Sequence, residues 1–302
     1  MNEKVRETLD DPIRLQREIN EKVAAQIPSR AWDSTVPIVI AHDGAVHQFG
    51  TGTLLRIADC FFLVTAGHVI KDSCKNNKTV GIGGSDDRYF IALRGEAQVS
   101  SDCQGETNAD PFDIGLYRLP PDIVARMKQK QFLLLDDIDF VEQSPTAVYT
   151  LFGFPAVWSS PDSSGLNTIG YKAFQYTAYR YDRDTSVLKQ YQDRYHLLLD
   201  AQLTEATDHD GNLFSIHDAD AEKILALELG GISGCSVWRV GDLKAPFNEW
   251  GIKPPQVVAV QTGVYKSHRA IKATRWIAVS TLIYEAYPEL RPAMALAHPH
   301  RK

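Results

Sequence analysis

After Pro28 the chain breaks into short runs rich in β-branched and aromatic residues, separated by turn residues, with no long helical pattern between them. The first group is VPIVIA (36–41), GTLLRI (52–57), FFLVTA (61–66), TVGI (79–82), RYFIALR (88–94) and IGLYRL (114–119). A stretch from Pro120 to Pro145 carries a short helical pattern over Pro121–Gln129 and an acidic segment, and reads as a connection between two halves. The second group is AVYTLF (147–152), KAFQYTAYRY (172–181), HLLLD (196–200), CSVWRV (235–240), QVVAVQTGV (256–264) and RWIAV (275–279), with a terminal helix expected near Ser280–Tyr287. About a dozen strands in two groups, lacking the alternating helices of a doubly wound sheet, point to antiparallel sandwiches or barrels. Only the opening differs. Asp11 can cap a helix, Pro12 suits its first turn, and Leu15, Ile19 and Val23 recur every fourth residue, so a helix is expected over Pro12–Gln26 with an apolar stripe to bury.

Length supports two units, since 302 residues at about 150 per domain fill two modest cores. The expected division is a helical extension over 1–30, a first barrel over 31–140, a second barrel with the terminal helix over 141–290, and a tail over 291–302. With 32 basic against 38 acidic residues the net charge is −6, so no summed positive field draws the chain to nucleic acid or anionic lipid. No apolar run approaches the roughly 20 residues that span a bilayer. The first thirty residues lack the apolar core and small-residue cleavage site of a secretory signal. Cys60, Cys74, Cys103 and Cys235 form no CxxC pair, which argues against a disulfide framework or a zinc ribbon. A reducing cytoplasm is the expected location, with no metal and no cofactor required.

Three segments carry chemistry: Thr65-Ala66-Gly67-His68-Val69 closing one strand, Asp113-Ile114-Gly115-Leu116-Tyr117 opening another, and Gly230-Gly231-Ile232-Ser233-Gly234-Cys235 before a third. A serine hydroxyl is a poor nucleophile at neutral pH. An imidazole must take its proton, and a carboxylate must fix the imidazole's tautomer and stabilise its charged form. The glycines around Ser233 let the chain turn so that two backbone N–H groups aim at one point, where an oxyanion would form. Each segment alone is commonplace: a hydrogen-bonded histidine, a capping acid, a glycine turn. Their joint occurrence in matching strand contexts is the signal.

These segments resemble the trypsin-like (chymotrypsin-fold) serine peptidases, in particular their cysteine-poor bacterial and intracellular members. TAGHV is similar to the family's Thr/Ser-Ala-Ala/Gly-His segment, DIGLYRL to its Asp-Ile-Ala-Leu strand, and GISGCSVW to its Gly-x-Ser-Gly-Gly-Pro turn, in the same His, Asp, Ser order. Gly50-Thr51-Gly52-Thr53-Leu54-Leu55 resembles the strand before the histidine segment, and VVAVQTGV the strand that pairs with substrate backbone. The resemblance implies an all-β fold of two antiparallel six-stranded β-barrels, here with an added N-terminal helix and a C-terminal helix, and an active site in the cleft between the barrels. It implies His68 as general base and acid, Asp113 as orienter and Ser233 as nucleophile, with the N–H groups of Gly231 and Ser233 as oxyanion hole. Gln261, Thr262 and Gly263 would offer backbone hydrogen bonds to an extended polypeptide substrate. Leu227, six residues before the nucleophile, would sit at the floor of the specificity pocket and leave no acid to select Lys or Arg.

Two departures from the family pattern bear on activity. Ile232 replaces the aspartate that pairs with a newly cut N-terminus, and Cys235-Ser236 replace Gly-Pro. The expected function is a serine endopeptidase working through an acyl-enzyme. The alternatives are a catalytically silent protease-fold binding module and a conditional protease activated by a partner, for which the N-terminal helix offers a docking surface. Other triads fail on order: an α/β-hydrolase needs Gly at position 235 and an acid and histidine far downstream, and Cys235 lies two residues off the motif. Asp208-His209-Asp210-Gly211-Asn212 lacks the glutamate that closes a calcium loop and reads as a hairpin turn. Ile82-Gly83-Gly84-Ser85 lacks the lysine of a phosphate loop, and the tail His298-Pro299-His300-Arg301-Lys302 reads as a solvated end.

Overall fold

The computed structural model describes residues 12–42, 45–73, 79–83, 90–100, 110–140, 144–156, 160–161, 169–171, 173–201, 205–208, 213–215, 229–251 and 254–297. Helices α1 (Pro12–Gln26) and α2 (Pro28–Ser34) lead into the first barrel. Its strands are β1 (Thr35–His42), β2 (Ala45–Ile57), β3 (Cys60–Ala66), β4 (Thr79–Gly83), β5 (Phe90–Ala92), β6 (Ala97–Val99) and β7 (Ile114–Leu119), with the short helix α3 (Gly67–Ser73) after β3. All pairings are antiparallel and the sheet runs β5-β4-β1-β2-β3-β7-β6. Helix α4 (Pro121–Arg126) opens the connection to the second half.

The second half contains β8 (Ala147–Gly153), a two-residue pair β9 (Ser160–Pro161) and β10 (Ile169–Gly170), then β11 (Phe174–Tyr179), β12 (His196–Asp200), β13 (Glu205–Asp208), β14 (Leu213–Ser215), β15 (Ser236–Asp242), β16 (Gln256–Tyr265) and β17 (Ala270–Arg275). Its main sheet runs β12-β17-β16-β15-β8-β11-β13-β14, again antiparallel throughout. Helices α5 (Trp276–Ala286) and α6 (Arg291–Ala297) end the chain's described part. The expected all-β architecture of two antiparallel β-barrels with a helix at each end is present. The sheets hold seven and eight strands among the described residues rather than six each, because short edge strands such as β5 and β6 extend them.

Three local expectations change. The run RWIAV (275–279) is not a strand: the strand lies just upstream at Ala270–Arg275, and Trp276 opens α5. Trp276, Val279 and Ile283 are buried at helical spacing, and that three-to-four periodicity outweighs the β-branched composition. His68 sits on α3 rather than at a strand end. The helix expected over Pro121–Gln129 stops at Arg126. Around the calcium-loop-like segment, β13 and β14 pair antiparallel, as a hairpin requires, while residues 209–212, Gly84, Ser85 and the tail 298–302 lie outside the described residues.

One hydrophobic cluster lies between the barrels and draws on both: Leu55, Phe62 and Val64 from the first, Phe152, Trp238 and Val260 from the second. Ile19 and Val23 of α1 and Val279 and Ile283 of α5 enter the same cluster. Separate clusters fill each barrel's interior. The stripe of α1 that the spacing identifies is therefore spent on the protein's own core, with Ile19 and Val23 at 1% and 0% exposure, and is not free to dock a regulatory partner. The two helices act as seals that fix how the barrels meet.

Candidate active site

The β3–β7 pairing solves the first problem, bringing residues 45 apart in sequence together. Its register places Phe61 opposite Leu119 and Ala66 opposite Ile114, so the next pair outward is Gly67 with Asp113. Gly67 N–H donates to the Asp113 carbonyl at 2.7 Å. His68 then turns onto α3, where its backbone N–H donates to Asp113 Oδ1 at 2.7 Å and its ring Nδ1 meets Asp113 Oδ2 at 2.7 Å. An acceptor-only carboxylate at Nδ1 assigns the ring proton there, leaving Nε2 with a lone pair to act as base. The His68 side chain is 41% exposed and that of Asp113 18%, so the imidazole is the more accessible member of the pair. Asp113 adopts φ +51°, a left-handed conformation that aspartate tolerates better than most residues.

The acid's loop is held from both sides. Within the first barrel, Asp110 Oδ1 accepts the N–H groups of Phe112 and Asp113 at 3.1 Å each. From the second barrel, His196 Nε2 lies 2.7 Å from the Pro111 carbonyl, Lys272 Nζ donates to the same carbonyl at 3.3 Å, and Thr274 Oγ1 donates to the Phe112 carbonyl at 2.6 Å. The rings of Phe112 and Tyr195 pack edge-to-face at 4.9 Å. His196 Nδ1 accepts the Gln192 N–H at 2.8 Å, which assigns the remaining ring proton to Nε2, donating to Pro111. That arrangement needs a neutral ring. Burial, then the nearby Lys272 charge, lower the His196 pKa to about 4, keeping it neutral at pH 7.

The turn around Ser233, the expected nucleophile, is anchored by atoms of both barrels. Thr51 N–H donates to the Ser233 carbonyl at 2.8 Å and Thr51 Oγ1 donates to the Gly231 carbonyl at 2.8 Å. Gly234 N–H donates to the Gln261 carbonyl at 2.8 Å, and Ala156 N–H to the Gly230 carbonyl at 2.7 Å. Gly231 and Gly234 have φ of +92° and +94°, which a side chain adopts only under strain. A Cβ at Gly234 would also collide with the Thr51 carbonyl and Thr65 Oγ1, three residues from His68. Among the described residues the N–H groups of Gly231 and Ser233 donate to no backbone carbonyl. Ile232 is fully buried in the second-barrel core. Packing and backbone bonds hold this turn where the family pattern would use an ion pair.

Helix α3 and the turn meet over Gly50: a Cβ there would lie 2.8 Å from Val69 Cγ1 and 3.3 Å from the Ser233 carbonyl. Ser233 is half-buried, and among the described residues its hydroxyl makes no hydrogen bond to His68. Apo sites commonly leave this bond open until substrate tightens it. Cys235 is fully buried and burial pushes its thiol pKa up, which removes it as a nucleophile.

Of the residues expected to pair with a substrate backbone, Gln261 is already committed. Its N–H donates to the Cys235 carbonyl at 2.9 Å and its own carbonyl receives Gly234, so it cannot offer backbone bonds to a peptide. The β16–β17 register shifts between Gln261 and Gly263, leaving Thr262 with no opposite residue. Thr262 and Gly263 remain as the candidate segment for an added strand, with the Gly263 carbonyl already accepting the Gln261 side-chain amide at 3.1 Å. Leu227 lies outside the described residues. Sequence reasoning misses His196, Lys272, Thr274 and Thr51. Their one signal is a polar side chain in an otherwise apolar strand, as in HLLLD and AIKATR. Among the described residues no group of three or more His, Cys, Asp or Glu could hold a metal ion, and no helix is long and apolar enough to cross a membrane.

No family model matches the chain, and no curated protein matches it in sequence. Among solved structures it is similar to a thermostable serine protease AL20 from an extremophilic microorganism, at 10% identity, 84% of this chain, 96% of that one and a TM-score of 0.47. It is similar to a scabies mite inactivated protease paralogue, S-I1, at 13% identity, 85% and 96% coverage and a TM-score of 0.49. The serine protease domain of the Sesbania mosaic virus polyprotein is similar at 14% identity, 81% and 90% coverage and a TM-score of 0.39. These likenesses concern the outline of the chain; the two-barrel architecture stands on its own strand pairings, and the chemistry on its own atoms.

Proposed function

We propose that this chain is a serine endopeptidase in which Ser233 attacks the scissile carbonyl, His68 Nε2 takes and then returns the proton, and Asp113 orients the imidazole. The single observation that carries this reading is the pair of 2.7 Å contacts from His68, backbone and ring, to the two oxygens of Asp113. The carboxylate fixes the tautomer that leaves Nε2 with its lone pair on a side chain that is 41% exposed, the arrangement a general base requires. In the acylation step the Ser233 oxygen bonds to the carbonyl carbon, the proton passes to His68, and the tetrahedral oxyanion sits at the N–H groups of Gly231 and Ser233. His68 then protonates the departing amine, and water repeats the sequence to release the acid fragment. Thr262 and Gly263 pair with the substrate backbone, which makes an extended polypeptide the substrate class. No cofactor enters.

A conditional form of the same activity is favoured by one observation, the open hydroxyl-to-imidazole bond, which substrate or a partner would close. The test is hydrolysis of an unfolded protein substrate by the full chain and by Ser233→Ala. Cleavage by the former at more than about 10⁵ times the rate of the latter is expected. Equal rates would remove Ser233 from the chemistry, and no cleavage by either, with no labelling by an acylating probe, would favour the silent binding module.

A further inference from the structure

Lys272 is placed where a neutral residue would suffice for packing. It lies mid-strand in β17, opposite Leu198 on one side and Gly263 on the other, and is 8% exposed. Its stem runs beneath the substrate-pairing segment, since a Cβ at Gly263 would sit 3.6 Å from Lys272 Cε. Its Nζ ends on the Pro111 carbonyl, two residues before the acid. Burying an ammonium costs several kcal/mol unless anions compensate, and Asp113 and Asp110 are the anions here.

We propose that Lys272 is a positioning residue for the proposed peptidase reaction, an ammonium held on the loop carbonyl two residues before Asp113, whose charge opposes a second positive charge on His68. The inference rests on the triad assignment of His68, Asp113 and Ser233. A positive charge near the Asp113–His68 pair opposes the imidazolium and favours the carboxylate, so the base is unprotonated over a wider pH range. Among the described residues, three further groups face this locus. Asp110 is shared with Lys71 at 3.2 Å and Ser100 at 2.7 Å; Arg275 Nε donates to the His196 carbonyl at 3.0 Å; His196 is neutral. Burial lowers the Lys272 pKa while Asp113 and Asp110 pull it back, a balance that bound peptide over Gly263 would alter. Thr274 and His196 brace the same loop through neutral bonds, so the charge is the feature that only Lys272 supplies.

The test is Lys272→Met, with Lys272→Arg as the charge-preserving control, read by NMR titration of the His68 ring and by the pH profile of kcat/KM. The His68 midpoint and the acid limb of the profile are expected to move up together by about one pH unit in Lys272→Met, and to stay within about 0.3 unit in Lys272→Arg. Loss of rate at all pH values with an unmoved midpoint would overturn the proposal, reducing Lys272 to a brace. Should Lys272→Met fail to fold, Lys272→Gln removes the charge while keeping a polar donor to the Pro111 carbonyl, and a midpoint moved up supports the proposal while one unmoved or moved down overturns it. The titration needs no turnover, so a wild-type protein that cleaves nothing yet shows the shift refutes the peptidase reading and leaves the electrostatic coupling standing.

Discussion

The acid–base loop and the nucleophile turn are built by the same rule with the barrels exchanged. Residues 110–113 belong to the first barrel and are clamped by His196, Lys272 and Thr274 of the second. Residues 230–235 belong to the second and are clamped by Thr51 of the first. The materials differ: three side chains of the other barrel hold the acid's loop, while the turn around Ser233 combines one such side chain, Thr51, with backbone bonds and two glycines in left-handed conformations. The site is therefore a property of barrel docking. The contact of His68 with Asp113 lies within the first barrel, but the loop that carries Asp113 is braced from the second.

The largest effect tests the acid itself. Asp113→Asn keeps the size but presents an amide to His68 Nδ1, favouring the wrong tautomer, and kcat/KM is expected to fall about 10⁴-fold, or about 5 kcal/mol of barrier, in a peptide-hydrolysis assay. A loss under tenfold would break the equivalence between the two halves. Next comes the turn. Gly234→Ala adds both a strained φ and a collision with Thr51 and Thr65, and is expected to cost about 4 kcal/mol of stability in urea unfolding; a cost below about 1 kcal/mol would mean that these contacts do not hold the turn.

A third variant sharpens the comparison from the first barrel's side. Thr51 Oγ1 donates to the Gly231 carbonyl and accepts the Phe154 N–H at 3.0 Å, so Thr51→Val orphans two buried groups. The expected cost is about 3 kcal/mol, seen as a fall in Tm of at least about 5 °C together with reduced activity. The smallest effect is a pH dependence. The folded state holds His196 at a pKa of about 4, while in the unfolded chain it titrates near 6.5. The unfolded state thus binds the extra proton between those values, and stability falls as pH drops, by about 2 kcal/mol from pH 7 to pH 5. His196→Phe should flatten that part of the stability profile measured by urea unfolding, whereas an unchanged slope would remove His196 from the clamp.

Much of this organisation is legible in sequence, for identifiable reasons. Period-two runs bounded by turn residues locate most strands, with IGLYRL and HLLLD matching β7 and β12 end to end. The i, i+4 stripe with Asp11 and Pro12 locates α1 in full. Composition misleads at 275–279, where β-branched and aromatic residues sit on a helix because burial spacing decides. Within the site, His68 and Ser233 stand out because glycines adjoin them, and Asp113 because it opens a hydrophobic strand. The clamps do not: a lone histidine, lysine or threonine in a buried strand gives no sign of which distant carbonyl it will meet. The commitment of Gln261 to the nucleophile turn is equally hidden, since only the register shift in β16 shows which backbone groups are already paired.

The central claim is that Ser233, His68 and Asp113 work as one unit, and the most direct measurement is mass-spectrometric mapping of the adduct left by a fluorophosphonate probe on the intact chain. The account predicts a single adduct on Ser233 whose rate of formation drops at least about 10³-fold in His68→Ala, with the unfolding midpoint nearly unchanged. An adduct elsewhere, or one on Ser233 that forms as fast without the imidazole, would contradict it.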